Sequence, residues 1–190
     1  MPDPRPALLV MDFQQEIVER YDGTGVVDTA RRAADAAREA GVPVMFVRVA
    51  FRPGHPEISA SNPTFGRLAR SGEGMLEEHA ATQIHAALAP RPDEPVVVKR
   101  RVSAFSGSDL DVLLRAAGVD TLVLAGIATS GVVLSTLRQA ADLDFRLVVL
   151  ADACADRDPE VHRVLLEKVF PKQAVVTTTD EWITTLGTDL

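Results

Sequence analysis

Leu8-Leu9-Val10-Met11-Asp12-Phe13-Gln14 decides how the chain is read. With Ala7 in front, five apolar residues run without a break and stop at a carboxylate. A strand with one wet face alternates apolar and polar residues, so an unbroken run fits a strand covered on both faces. The acid at its end is the second clue. A carboxylate beside a buried strand loses hydration and needs a partner or a task.

The pattern recurs. Residues 42–49, 96–98 running up to Lys99, 121–125 running up to Gly126, 147–150 and 174–176 read as five further strands. Between them lie helical spacings. Residues 29–40 are rich in Ala and Arg, with Gly41 as the stop signal. Residues 108–117 begin at Ser108 as N-cap and place Leu110, Leu113 and Leu114 on one face. Residues 130–143 form the next helix. Residues 158–170 put Val161, Val164, Leu165 and Val169 on a common face. A short helix ends the chain, and 52–74, rich in Pro, Gly, Ser and Asn, read as a long loop of the functional kind.

Strands and helices in alternation predict an α/β fold: a single three-layer α/β/α domain over 1–190, with a six-stranded parallel sheet of order 3-2-1-4-5-6. In that order strands 1 and 4 lie side by side where the winding reverses. Ligands of such sheets bind there, beyond the carboxyl ends of the strands. Asp12, Lys99 and the turn 126–133 fall at that end.

Composition narrows the function. The chain has 190 residues and a net charge of −7, which argues against nucleic-acid and anionic-membrane partners. The lone cysteine, Cys154, excludes an internal disulfide and fits a reducing, cytoplasmic setting. The opening apolar run is too short for a signal peptide or a membrane span.

Asp12 alone reads equally as a cap or a loop hydrogen-bonder, and Lys99 alone as a solvated strand end beside Arg100 and Arg101. Together they form an acid–cation couple in which the Lys influences the ionisation of the Asp. In Gly126-Ile127-Ala128-Thr129-Ser130-Gly131-Val132-Val133, small residues let backbone approach a ligand, and helix-start amides are available for a developing negative charge. Arg48, Arg52, Lys99, Arg100 and Arg101 gather near the carboxyl ends of strands 2 and 3, and read equally as a basic mouth for a small anionic substrate or as a solvated charge run. His55 and His85 lack the spaced partners a transition metal requires, His162 reads as a structural hydrogen-bonder, and no cofactor motif is present.

These segments resemble the isochorismatase-like hydrolase family. Residues 8–14 are similar to its opening strand and Asp-x-Gln, 99–105 to its lysine segment, 126–129 to its Gly-x-x-Thr turn, and Asp152-Ala153-Cys154-Ala155 with Glu160 and His162 to its segment after strand 5. The resemblance covers about residues 7–180. It implies a catalytic triad of Asp, Lys and Cys, with Asp12 and Lys99 in the first two places. The third place falls on Val132, which has no nucleophile. The isochorismatases of the family also work without a nucleophilic cysteine: an Asp protonates a vinyl ether carbon and water adds to the cation. The His and aromatic residues of their turn are missing from 127–130.

The expectation is therefore a hydrolase acting on a small, anionic vinyl ether, amide or imide. Asp12 with Lys99 would supply acid–base chemistry and water would be the nucleophile. Gln14, Phe105, Ala128, Thr129 and Gly131 would line the substrate and oxyanion wall, with no metal or cofactor. The alternative is a non-catalytic small-molecule binding or assembly protein on the same fold. Cys154 reads as buried packing. The resemblance further implies a homodimer or homotetramer.

Overall fold

The computed structural model describes residues 4–21 and 25–187; residues 1–3 and 188–190 of the expected domain lie outside the described residues. Six strands form one sheet: β1 (Pro6–Met11), β2 (Val44–Val49), β3 (Val96–Lys99), β4 (Thr121–Ile127), β5 (Arg146–Ala155) and β6 (Val175–Thr177). Every pairing is parallel, and the order is β3-β2-β1-β4-β5-β6, as the apolar runs predict. The helices are α1 (Gln15–Val18), α2 (Val26–Glu39), α3 (Gly66–Ser71), α4 (Leu110–Ala116), α5 (Leu134–Asp142), α6 (Pro159–Val164) and α7 (Thr179–Leu186).

β1 shows why the unbroken run was needed. Ala7, Leu9 and Met11 point into a cluster with Leu110 and Leu114 of α4, Leu137 and Ala140 of α5, and Leu165 and Phe170. Leu8 and Val10 point the other way, into Ala30, Ala33, Ala34 and Ala37 of α2 and Trp182 of α7. Leu8, Leu9 and Val10 are completely buried, each contributing about 1.5–3 kcal/mol. The four alanines of α2 recur at 3, 4 and 7 residues and form a narrow stripe that lets the helix lie close to the sheet. Gly41, with φ +70°, ends that helix in the left-handed conformation the sequence suggested.

Several boundaries differ from the sequence reading. The stretch 52–74 is not all loop, since α3 forms within it and Phe65, Ile58, Phe51 and Val49 make a small core of their own. β5 runs to Ala155 rather than stopping at residue 150. Asp152 breaks the apolar pattern there because its carboxylate serves elsewhere, accepting from the backbone N–H and hydroxyl of Thr179. The helix expected over 130–143 begins as a wider π-helical turn, Thr129–Val133, before α5. The helix expected over 158–170 is α6 followed by a second π-helical turn, Leu165–Val169, and Val161 is exposed rather than on the buried face. Ser108 sits one residue before the N-cap position, which Asp109 holds; its oxygen still accepts from the N–H of Leu110 at 3.4 Å, while its hydroxyl donates to the Ala104 carbonyl.

Candidate active site

Asp12 extends β1 by one bond, its N–H donating to the Val47 carbonyl at 2.8 Å, and then turns the chain with φ +60°. Asp is among the few non-glycine residues that adopt this conformation readily. The turn directs its side chain across the carboxyl end of the sheet. Lys99 ends β3, two strands away with β2 between them. Two interstrand spacings amount to about 10 Å, a gap that a long side chain crosses. Lys99 Nζ lies 2.9 Å from Asp12 Oδ2. The same ammonium donates to the Arg101 and Val102 carbonyls, both at 3.0 Å, so all three of its N–H groups are engaged.

Both side chains are buried, Asp12 6% exposed and Lys99 1%. Burial pushes the Asp12 carboxyl above the usual carboxylate range, and the charge and hydrogen bond of Lys99 only partly oppose this. Asp12 Oδ1 is also buried and has no hydrogen-bond partner. An orphaned buried oxygen is rare and demands an explanation.

β4 brings the third element. Gly126 sits opposite Met11 in the β1–β4 register. A Cβ at this position would meet Val133 Cγ2 at 3.0 Å, and the Cβ and carbonyl oxygen of Met11 at 3.2 Å. Glycine thus lets the start of the turn touch the end of β1. The Ile127–Ala128 peptide bond is cis. Val132 is buried within the apolar cluster of the α4–α5 face and presents only an isopropyl group. Thr129 is fully buried, its Oγ1 2.8 Å from His162 Nδ1. Gly131 and Val133 both direct their N–H groups to the Ala128 carbonyl, and Ser130 donates to Asp156 Oδ2 at 2.7 Å. These three amides, offered by the sequence as an anion-stabilising wall, are therefore already occupied.

Two other wall residues sit differently from the expectation. Gln14 is fully buried, with both amide hydrogens donated to the carbonyls of Val49 and Thr82 and its oxygen accepting from Val49 N–H. It braces the ends of β1 and β2 and has no donor left for a ligand. Phe105 packs against Phe145, their centroids 6.0 Å apart, in the core under α4 and α5.

The basic mouth is largely satisfied internally. Arg100 pairs with Glu57 and Glu77 and donates to the Ala50 carbonyl, Arg52 pairs with Glu57, Arg48 donates to the Glu77 and Thr82 carbonyls, and Arg101 to those of Arg100 and Glu57. Glu57 and Glu77 were missed in the sequence, although so many arginines at one strand end signal nearby acids. His55, read as a loop residue, is buried with Nε2 2.8 Å from the Gly74 carbonyl. His85 caps a single helical turn at Ala86–Leu88. Among the described residues no three His, Cys, Asp or Glu side chains gather into a metal cluster. No described helix is long and apolar enough to cross a membrane.

Cys154 lies in β5 opposite Gly126. Burial pushes its thiol up to about 12, with its sulfur facing the Leu124 carbonyl at 3.9 Å. At neutral pH it is a protonated packing group rather than a thiolate.

A six-stranded parallel sheet in this order, superposing on a solved isochorismatase family protein of Burkholderia thailandensis with a TM-score of 0.84 at 30% identity over 98% of this chain and 97% of that one, places the chain in the isochorismatase-like class of α/β folds. The chain belongs to the isochorismatase family: the isochorismatase domain model matches residues 6–181. It is 33% identical to the isochorismatase family protein YwoC of Bacillus subtilis over 179 residues, covering 94% of this chain and 93% of that one. It is 32% identical to the maleamate amidohydrolase of Pseudomonas putida, with 92% and 83% covered. An isochorismatase family protein of Desulfovibrio vulgaris superposes with a TM-score of 0.86 at 29% identity, over 97% of this chain and 99% of that one.

Proposed function

We propose that this chain, as one domain, hydrolyses a small anionic molecule with a vinyl ether, amide or imide linkage, using Asp12 as the acid–base group and water as the nucleophile. The observation that carries the reading is the asymmetric environment of Asp12: Oδ2 is held by Lys99 and Oδ1 is buried without a partner. A carboxyl group raised by burial and free on one oxygen is suited to hold a proton at Oδ1 and deliver it to a substrate. Lys99 has no N–H left for a ligand, so its part is to fix Oδ2 and to stabilise the carboxylate left once the proton is gone.

Val132 occupies the place that the resemblance gives to the family's cysteine, and Cys154 is a protonated thiol. Sulfur chemistry is thereby set aside in favour of water. For a vinyl ether, the proton from Oδ1 goes to the terminal carbon, water adds to the resulting oxocarbenium ion, and the hemiketal collapses to a carbonyl compound and an alcohol, returning a proton to Asp12. The amidohydrolase name of the Pseudomonas relative supports keeping amides among the substrates tested. A cytoplasmic homodimer or homotetramer belongs to the same proposal.

The test is turnover of a panel of carboxylate-bearing vinyl ethers, amides and imides by the native chain and by Asp12→Asn. Hydrolysis by the native chain that is lost in the variant is the expected result. Binding across the panel with no turnover would replace this reading with that of a small-molecule binder.

A further inference from the structure

Two side chains from the segment after β5 hold consecutive residues of the turn that leads away from Gly126. His162 Nδ1 contacts Thr129 Oγ1 at 2.8 Å, and Asp156 Oδ2 accepts from Ser130 N–H at 2.7 Å. Thr129 is fully buried, so its hydroxyl needs a protein partner. Asp158 caps α6 by accepting from the N–H groups of Glu160 and Val161, and its own N–H reaches Asp156 Oδ1 at 3.4 Å. Asp156 and His162 are thus carried by one ordered helix start.

Within the turn Thr129, Val132 and Val133 are buried. Both Gly131 and Val133 share the Ala128 carbonyl, at 3.1 and 3.3 Å, and the π-helical winding gives a wider coil than an α-helix. At its other end Gly126 fits against Met11, the residue before Asp12. The turn is therefore anchored on one side by the sheet, and on the other by His162 and Asp156.

We infer that His162 and Asp156 are positioning residues: they set the distance between the turn at residues 128–133 and Asp12 Oδ1 without touching substrate. This rests on the reading of Asp12 as the reacting carboxyl. Charge states agree with the geometry. Burial pushes His162 below its usual value against the pull of Asp156, which favours a neutral ring, and the Nδ1 of a neutral ring protonated at Nε2 can accept the Thr129 proton. Burial opposes the charge on Asp156, but hydrogen bonds from Ser130, Asp158 and Arg157 outweigh it and keep the carboxyl ionised.

The experiment compares His162→Ala, His162→Asn and Thr129→Val in the full chain, by kinetics and by amide hydrogen exchange at residues 129–133. In Asn the side-chain oxygen takes the place of the ring Nδ1. His162→Ala and Thr129→Val should each lower kcat about 10- to 100-fold with KM little changed. Their double variant should be no worse than either alone, and His162→Asn should recover most of the rate. Exchange across the turn should quicken in His162→Ala and return to normal in His162→Asn. Unchanged exchange in both His162→Ala and Thr129→Val, or additive losses in the double variant, would overturn the inference. Failure of the Asp12 reading looks different: Asp12→Asn would keep its turnover, or the native chain would have none, while the exchange result would still decide whether these side chains hold the turn.

Discussion

Asp12 Oδ2 lies 2.9 Å from Lys99 Nζ, while Oδ1 of the same buried carboxyl has no partner. In the proposed mechanism the two oxygens therefore take separate tasks. One is held by a cation whose other protons are engaged with backbone carbonyls, and the other is left to act.

The pH profile should report that division. Burial raises the Asp12 pKa, so the carboxyl keeps its proton to higher pH than a free side chain. If Oδ1 donates the proton, kcat/KM is full below the raised pKa and declines as pH rises through it. A base acting on water would give the opposite limb, with activity lost as pH falls. We expect the falling alkaline limb. We also expect Asp12→Asn to lower kcat by about 10²- to 10⁴-fold, with its fold unchanged by circular dichroism.

Lys99→Met tests the pair from the other side. The variant keeps the bulk of the stem but leaves a buried carboxyl with no cation, so the Asp12 pKa should climb further. Removing one partner of a buried pair costs about 3–5 kcal/mol when the remaining charge stays ionised. A raised folded pKa makes the folded state hold protons that the unfolded chain releases. The contribution of Asp12 to stability is therefore greatest below the ordinary value of 3.8 and shrinks as pH rises toward the folded pKa. Urea denaturation across pH should show Lys99→Met least destabilised in acid and most destabilised near neutrality. A deficit independent of pH would mean that Lys99 matters for packing alone.

The parts of this arrangement that could be read from the sequence share a physical cause. Asp12 and Lys99 stood out because each follows an apolar run that reads as a strand, and strand order then placed both at one end of the sheet, although β3 is an edge strand with Val96 exposed. Glu57, Glu77 and Asp156 did not stand out. Each lies in irregular chain, and its partner is fixed by folding rather than by spacing. Gln14 and Thr129 were seen, but their engagement with Val49, Thr82 and His162 arises only once three separate segments meet. The length of β5 was hidden because Asp152, an exposed position of the strand whose carboxylate accepts from Thr179, interrupts the apolar run.

Gly126→Ala should separate the roles of sheet and turn. The added methyl would lie 3.0 Å from Val133 Cγ2 and 3.2 Å from Met11 Cβ and O, closer than ordinary contact. Overpacking of this kind costs about 1–3 kcal/mol, and relief comes by moving the turn away from β1. The expected outcome is a lowered Tm together with a loss of kcat larger than that of an equally destabilising change remote from the turn, such as Leu114→Val in α4. Equal losses of activity at equal stability would remove the turn from the chemistry.

Sulfur provides the last test, because it exists at one known place and can be introduced at another. The Cys154 thiol, pushed up to about 12 by burial, carries almost no thiolate near pH 7. Iodoacetamide should leave the native chain unmodified and label it only after denaturation, and Cys154→Ala should turn over substrate at the native rate. Val132→Cys, made in that Cys154→Ala background, places a thiol of nearly the same volume at the position corresponding to the family's nucleophile. Val132 is 2% exposed and packed within an apolar cluster, so the expected outcome is a thiol that resists alkylation as Cys154 does. Gain of amide or imide hydrolysis by this variant, in excess of the native rate, would mark position 132 as facing the Asp12–Lys99 pair. A thiol at 132 that resists alkylation as Cys154 does would mean that the turn points this side chain into the core, and that the Asp12 site has no access to a nucleophile other than water.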